Sequence, residues 1–244
     1  MNVTPPGLFT PLYLKTSPDT PWPEDQPVFH LLTADGLFLC RNHPFFRSSV
    51  PVSGGPSELA PHEAFASLAF PRIPQRLFEL TVGFFDLVGN RHGAEAIVLL
   101  AWDGRRRRVE LLVPTQSAVV GTDGAGVPYP LTVRYDPPET PPDLLVFGDI
   151  HSHVHGPAYA SGMDVADEAD RPGLHLVVGR LHLDPPDLHL AVTLDGARFS
   201  VADPFSVIDG YQARRSAEVP AAWLERHSVS HWSCPTSPLP APLP

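Results

Sequence analysis

The chain has 244 residues, of which 43% are hydrophobic and 18% charged, and it carries a formal net charge of -10 at pH 7. That length and balance predict one globular domain with an extension rather than two equal domains, because they suffice to bury one substantial core. No apolar stretch approaches the roughly 20 residues needed to cross a bilayer, and the acidic balance argues against broad nucleic-acid binding, which rests on a cationic surface.

In chain order, the opening Met1-Asn2-Val3-Thr4-Pro5-Pro6 lacks the basic start and apolar run of a secretory signal. With only Cys40 and Cys234 present, neither a disulfide framework nor a thiolate zinc site is expected, and a reducing cytoplasm is the expected location. The 31 prolines cluster in residues 1–27, around 137–142 and from Pro235 to Pro244, which predicts coil there. Val28 to Leu32 and Gly36 to Cys40, separated by an Ala34-Asp35-Gly36 turn, predict a small β-rich N-terminal element.

Ile73, Leu77, Leu80, Phe84 and Leu87 recur at helical spacing, preceded by prolines and followed by Gly89-Asn90, so an amphipathic helix is expected to end near Val88. Glu95 to Trp102 and Val109 to Val113 flank Asp103-Gly104 as a hairpin, and the basic run Arg105 to Arg108 reads as its solvated flank. Leu144 to Ile150 is a buried-strand pattern. Ser161 to Asp170 predicts a short helix, and Leu174 to Val178, Leu188 to Leu194 and Ala197 to Val201 predict strands. Together these give an α/β (α+β) class: a mixed, curved sheet with helices packed on it.

The chemistry concentrates in Gly148-Asp149-Ile150-His151-Ser152-His153 and, seven residues later, Ser161-Gly162-Met163-Asp164. Histidines at i and i+2 at the end of a strand project to one side and can share a zinc ion, with Asp164 as a third, anionic ligand and the fourth tetrahedral position open for water. Each piece also has a plain reading. His-x-His arises by chance on strands, and Ser161-x-x-Asp164 is equally a capping box that starts a helix without metal. Cys40 is a small core residue on its strand pattern, with a thiol nucleophile as the alternative. His155 could compete for zinc but is expected in a loop or behind the ligands, while His175, His182 and His189 are expected on surfaces or hairpins and are assigned no chemistry.

The whole pattern, His-x-His, seven residues, then Ser-x-x-Asp, resembles the JAMM motif of the JAB/MPN metalloproteases over roughly residues 70–202. The resemblance implies a cytidine-deaminase-like core at 70–205, with a β-rich extension at 1–69 and a second extension with a proline-rich tail at 206–244. A cytidine deaminase itself is not indicated, since His-x-Glu and Pro-Cys-x-x-Cys are missing. Carried over by position, the family implies zinc on His151, His153 and Asp164, Glu95 as general base then acid, and Ser161 as donor to the oxyanion. Glu79 and Glu110 are the fallback bases. The implied reaction is cleavage of an isopeptide or peptide after the C-terminus of a ubiquitin-like protein. The combination of segments is similar to bacterial members found beside ubiquitin-like proteins and their activating and conjugating enzymes, antiphage operons included. A JAMM peptidase acting on a sulfur-carrier or other small-protein tail shares the same chemistry, and a non-catalytic MPN scaffold is the third alternative. No long substrate-gripping loop is expected between Asp164 and Leu174.

Overall fold

A computed structural model describes residues 10–55, 59–60 and 62–232. Cys234 and the proline-rich stretch from Pro235 lie outside the described residues. The chain divides between Ala64 and Phe65 into two compact units. In the N-terminal unit, β1 (Leu12–Leu14), β2 (Val28–Thr33), β3 (Gly36–His43) and β4 (Phe46–Pro51) form a sheet in that order. Its small core is Phe29, Leu31 and Cys40, with Tyr13, Trp22 and Phe38 packed against them. The β2–β3 pair matches the expected hairpin; β1 and β4 were not anticipated, being short or poor in apolar residues.

The C-terminal unit holds α1 (Gln75–His92), β5 (Ile97–Asp103), β6 (Arg108–Leu112), β7 (Gln116–Thr122), β8 (Pro128–Tyr135), β9 (Leu144–Ser152), α2 (Gly162–Glu168), β10 (Gly173–Gly179), β11 (Asp187–Leu194), β12 (Ala197–Val201), α3 (Ala221–Glu225) and β13 (His227–His231). Its main sheet has the order β12-β11-β10-β9-β5-β6. The β9–β10 pair is parallel and the other neighbours are antiparallel, so the sheet is mixed, as expected. A second, three-stranded sheet has the order β13-β7-β8. Gln116 ties the two sheets: its Oε1 accepts from Ile97 N at 2.8 Å and its Nε2 donates to Ile97 O at 3.0 Å.

Register sorts the main sheet into rows of opposite character. Val98, Ile150, Leu176, Leu190 and Val201 lie in line across five strands, and all but the last are fully buried with the α1 residues Phe78, Val82, Phe85 and Val88. The adjacent rows alternate to the opposite face. They run Leu99, Asp149, His175, Ala191, Ser200 and Ile97, His151, Val177, His189. One face therefore builds the core against α1, and the other carries the ionisable groups.

Helix α1 departs from expectation in two ways. It runs past Gly89-Asn90 to His92 and ends at Gly93, whose φ of 63° takes the left-handed cap. Gly89 is a packing position instead, since a Cβ there would meet Val154 Cγ1 at 3.0 Å. The stripe Leu77, Leu80, Leu87 is only partly buried, while Phe78, Val82 and Phe85 are fully buried. The reason is a second cover: Tyr211 and Trp223 pack edge-on against Phe78 and Phe84, so α1 is enclosed from two sides.

Candidate metal centre

Three donors converge at the end of β9. His151 Nε2 lies 3.4 Å from His153 Nε2, Asp164 Oδ1 lies 3.5 Å from His151 Nε2, and Asp164 Oδ2 lies 3.5 Å from His153 Nε2. Both histidines are buried and Asp164 is partly buried. Among the described residues this is the one group of three or more His, Cys, Asp or Glu donors close enough to hold a metal ion.

Each donor is held from behind. His153 N donates to Val178 O at 2.8 Å, which extends the β9–β10 ladder by one residue beyond β9. Its Nδ1 lies 3.2 Å from Pro157 O, so an Nδ1–H donated there leaves Nε2 unprotonated toward the centre. The chain then turns at Val154, a buried β-branched residue with φ of 52°, a costly conformation that the packing on Gly89 helps to hold. Residues 156–158 lie over Gly179, where a Cβ would come within 2.3 Å of Ala158 N. At the start of α2 the capping box is formed in full: Asp164 N donates to Ser161 Oγ at 3.2 Å and Ser161 N to Asp164 Oδ2 at 2.7 Å. The capping and metal readings of Ser161-x-x-Asp164 are thus compatible, because the cap orients the carboxylate that faces the histidines.

Burial opposes ionisation of Asp164, yet its bonds to His151 and His153 outweigh this and hold the carboxyl far below its ordinary range. Burial likewise lowers His151, but Asp164 more than offsets it, leaving His151 raised. Glu95 lies two residues before β5, rather than on it, and lines the same cleft as the three donors. Burial raises its pKa, against the pull of His151 and His153. Its backbone is clamped on both sides: Ser152 bonds Ala96 through N and Oγ at 3.0 and 3.2 Å, and His227 Nε2 donates to Glu95 O at 2.8 Å. The cleft, of about 1080 Å³, is lined further by Ser161, Tyr159, Met163 and the length of β8.

The fallback bases stand elsewhere. Glu79 is fully buried on α1 and accepts from Gln212 N at 2.6 Å, Ala213 N at 3.2 Å and Arg215 Nε at 2.7 Å, an anchor for the segment after residue 208. Glu110 pairs with Arg108 on the edge strand β6. Cys40 is fully buried in the N-terminal unit and donates to Ser49 Oγ at 3.4 Å. His155 is exposed, its ring 5.9 Å from that of His182.

His175 corrects the expectation of a surface histidine. It is 1% exposed, with Nδ1 2.9 Å from Asp149 Oδ2 and Nε2 3.0 Å from Arg171 O. Arg171 bonds Asp149 Oδ2 at 3.1 Å and Tyr135 OH at 2.7 Å. Burial pushes the Asp149 carboxyl up, but His175 and Arg171 bring it below the usual range. The available sequence signal was parity, since Asp149 and His151 are two apart on one strand and must share a face.

No curated protein matches the sequence. The chain is similar to the solution structure of a protein from Desulfitobacterium hafniense at 14% identity, over 60% of this chain and 95% of that one, with a TM-score of 0.33. The stretch that carries Glu95, His151, His153 and Asp164 lies within residues 79–193, which match the model of the prokaryotic homologs of the JAB domain, and this supports a JAB/MPN-type domain there.

Proposed function

We propose that the protein is a zinc-dependent isopeptidase or peptidase that cleaves after the C-terminus of a ubiquitin-like protein. The observation that carries the reading is the donor triangle of His151, His153 and Asp164. Its closest approaches of 3.4, 3.5 and 3.5 Å fit the edge of about 3.4 Å that a tetrahedral zinc with ligand bonds of about 2.0–2.1 Å requires. Bound there, zinc would supply an acidified water and a Lewis acid for the scissile carbonyl.

The protein's own groups do the rest. Glu95, with its pKa raised by burial, takes a proton from the attacking water and returns it to the departing amine, which leaves poorly unless protonated. The Ser161 hydroxyl already accepts Asp164 N–H, so its own proton is free to be donated to the carbonyl oxygen as charge builds there. β8 supports an extended substrate tail: it is the outer strand of its sheet and lines the cleft, and an extended peptide can pair with a free strand edge. The partners in this reading are the ubiquitin-like protein and its activating and conjugating enzymes, in a bacterial cytoplasmic conjugation system of the antiviral kind.

Metal analysis and a cleavage assay test it together. Protein purified without chelator should carry near-stoichiometric zinc, lost in the His151→Ala/His153→Ala double variant. Glu95→Gln should keep its zinc, yet cleave a ubiquitin-like fusion encoded beside the gene at least about 100-fold more slowly. Equal zinc in the wild type and the double variant would sink the ligand assignment, and a zinc-loaded wild type that binds but never cleaves would leave a scaffold.

A further inference from the structure

Helix α2 carries a metal donor, yet little apolar packing holds it. It has seven residues, its apolar Met163 and Val165 are 58% and 43% exposed, and its one fully buried side chain is the charged Glu168. A helix this short has no stability of its own in water, so whatever fixes it also fixes Asp164. Asp164 and Glu168 are four residues apart and share one face of the helix. Glu168 Oε2 accepts from Arg198 Nε of β12 at 2.8 Å, with side-chain exposures of 2% and 18%. Arg198 pairs with Thr193 in the β11–β12 register and stands 3.5 Å from His189 Nε2. His189 lies in the same sheet row as His151. The polar face thus continues from the donor triangle to a buried carboxylate–guanidinium pair that bolts the far end of α2 to the sheet.

We infer that Glu168 and Arg198 are positioning residues for the metal centre: their ion pair holds α2 at the distance from β9 that brings Asp164 against His151 and His153. This rests on the zinc reading above. The capping box fixes the carboxylate relative to its own helix; the Glu168–Arg198 pair, beside the bonds of Arg171 to Asp167 O and Asp149, holds the helix relative to the histidines.

The test compares full-length wild type with Glu168→Gln, Arg198→Lys and the double variant. Amide exchange is followed across residues 162–168 in metal-free protein, and zinc affinity by competition with a chromophoric chelator. Each single variant should speed exchange in α2 more than in α1, and weaken zinc by about tenfold, the low end of the cost of disturbing groups bonded to the ligands, since neither side chain touches a donor itself. The double variant should be no weaker than the worse single, because one shared contact is lost once. Faster α2 exchange with zinc affinity within twofold of the wild type would reduce the pair to a stability role and overturn the inference, as would unchanged α2 exchange. A wild type that takes up no zinc overturns the metal reading and the positioning role with it. In that case the exchange arm still tells whether the pair pins α2.

Discussion

Ser161 serves two structural masters at once. Its Oγ accepts Asp164 N–H, and its own N–H is taken by the carboxylate that faces the histidines. Ser161→Ala should therefore lose two separable things. The missing cap should cost about 1 kcal/mol of stability, and the missing hydroxyl should slow turnover by about 10²–10³-fold. Zinc should stay, since Ser161 N still bonds Asp164. Ser161→Thr keeps a hydroxyl and should recover most of both losses. Thermal melts beside turnover separate the two, and a variant that melts early but turns over at the wild-type rate would make Ser161 a helix cap only. At this scale the sequence was informative where spacing alone brings groups together, as with His151 and His153 on one strand face. It was silent on Arg198, whose importance depends on a pairing with Glu168 across 30 residues that no local spacing encodes.

Glycine decides how closely the elements approach the centre. Residues 156–158 cross β10 at Gly179, where a Cβ would stand 2.3 Å from Ala158 N and 2.5 Å from Pro157 C, both backbone atoms that cannot step aside alone. Gly179→Ala should lift this loop and break the bond between His153 Nδ1 and Pro157 O, which fixes the ring. We expect destabilisation by about 2 kcal/mol, in the range of overpacking, together with weaker zinc binding, whereas Gly196→Ala in the open β11–β12 turn should leave zinc untouched. Equal zinc affinity in both would mean that the loop does not orient His153. Strands such as β5, β9 and β10 were legible from their aliphatic runs, and the β9–β10 pair carries the centre. β7 and β8 were not; for β8, Pro128 and Pro130 argue against a central strand. The observed sheet resolves this by putting β8 at its edge, where a missing N–H costs nothing.

At the scale of the C-terminal unit, the stretch after residue 205 is bound into the fold by strands and charge. β13 runs parallel to β7, Ile208 bridges Ile73, and His227 reaches Glu95. Composition hides this, because the segment is proline-bearing and lacks a long periodic run. Its main electrostatic anchor is Glu79, on which Gln75, Gln212, Ala213 and Arg215 converge. Burial raises the Glu79 carboxyl, but these bonds overcome it and bring the pKa down from 4.5 to about 2. A carboxyl whose folded pKa lies below its unfolded one stabilises fully above the unfolded value and loses that contribution as pH falls through the folded one. The window is therefore from about 4.5 down to about 2. Glu79→Gln removes the charge while keeping the side chain's size, and leaves the part-exposed Arg215 without its buried partner. It should lower the stability of the unit by about 2–3 kcal/mol at pH 7. The difference from the wild type should narrow as pH falls from about 4.5 to about 2, because there the unfolded wild-type chain takes up a proton that the folded carboxylate does not. Urea unfolding of the metal-free protein at several pH values, followed at amides of α1, measures that difference directly. Asp149 and Asp103 also bind protons in acid, but they are common to both proteins and cancel in the comparison. A gap that stays constant from pH 7 to 2 would show that Glu79 acts through packing rather than charge. Zinc affinity at pH 7 should be unaffected, since Glu79 touches none of the donors, so this variant also separates the stability of α1 and its cover from the geometry of the centre.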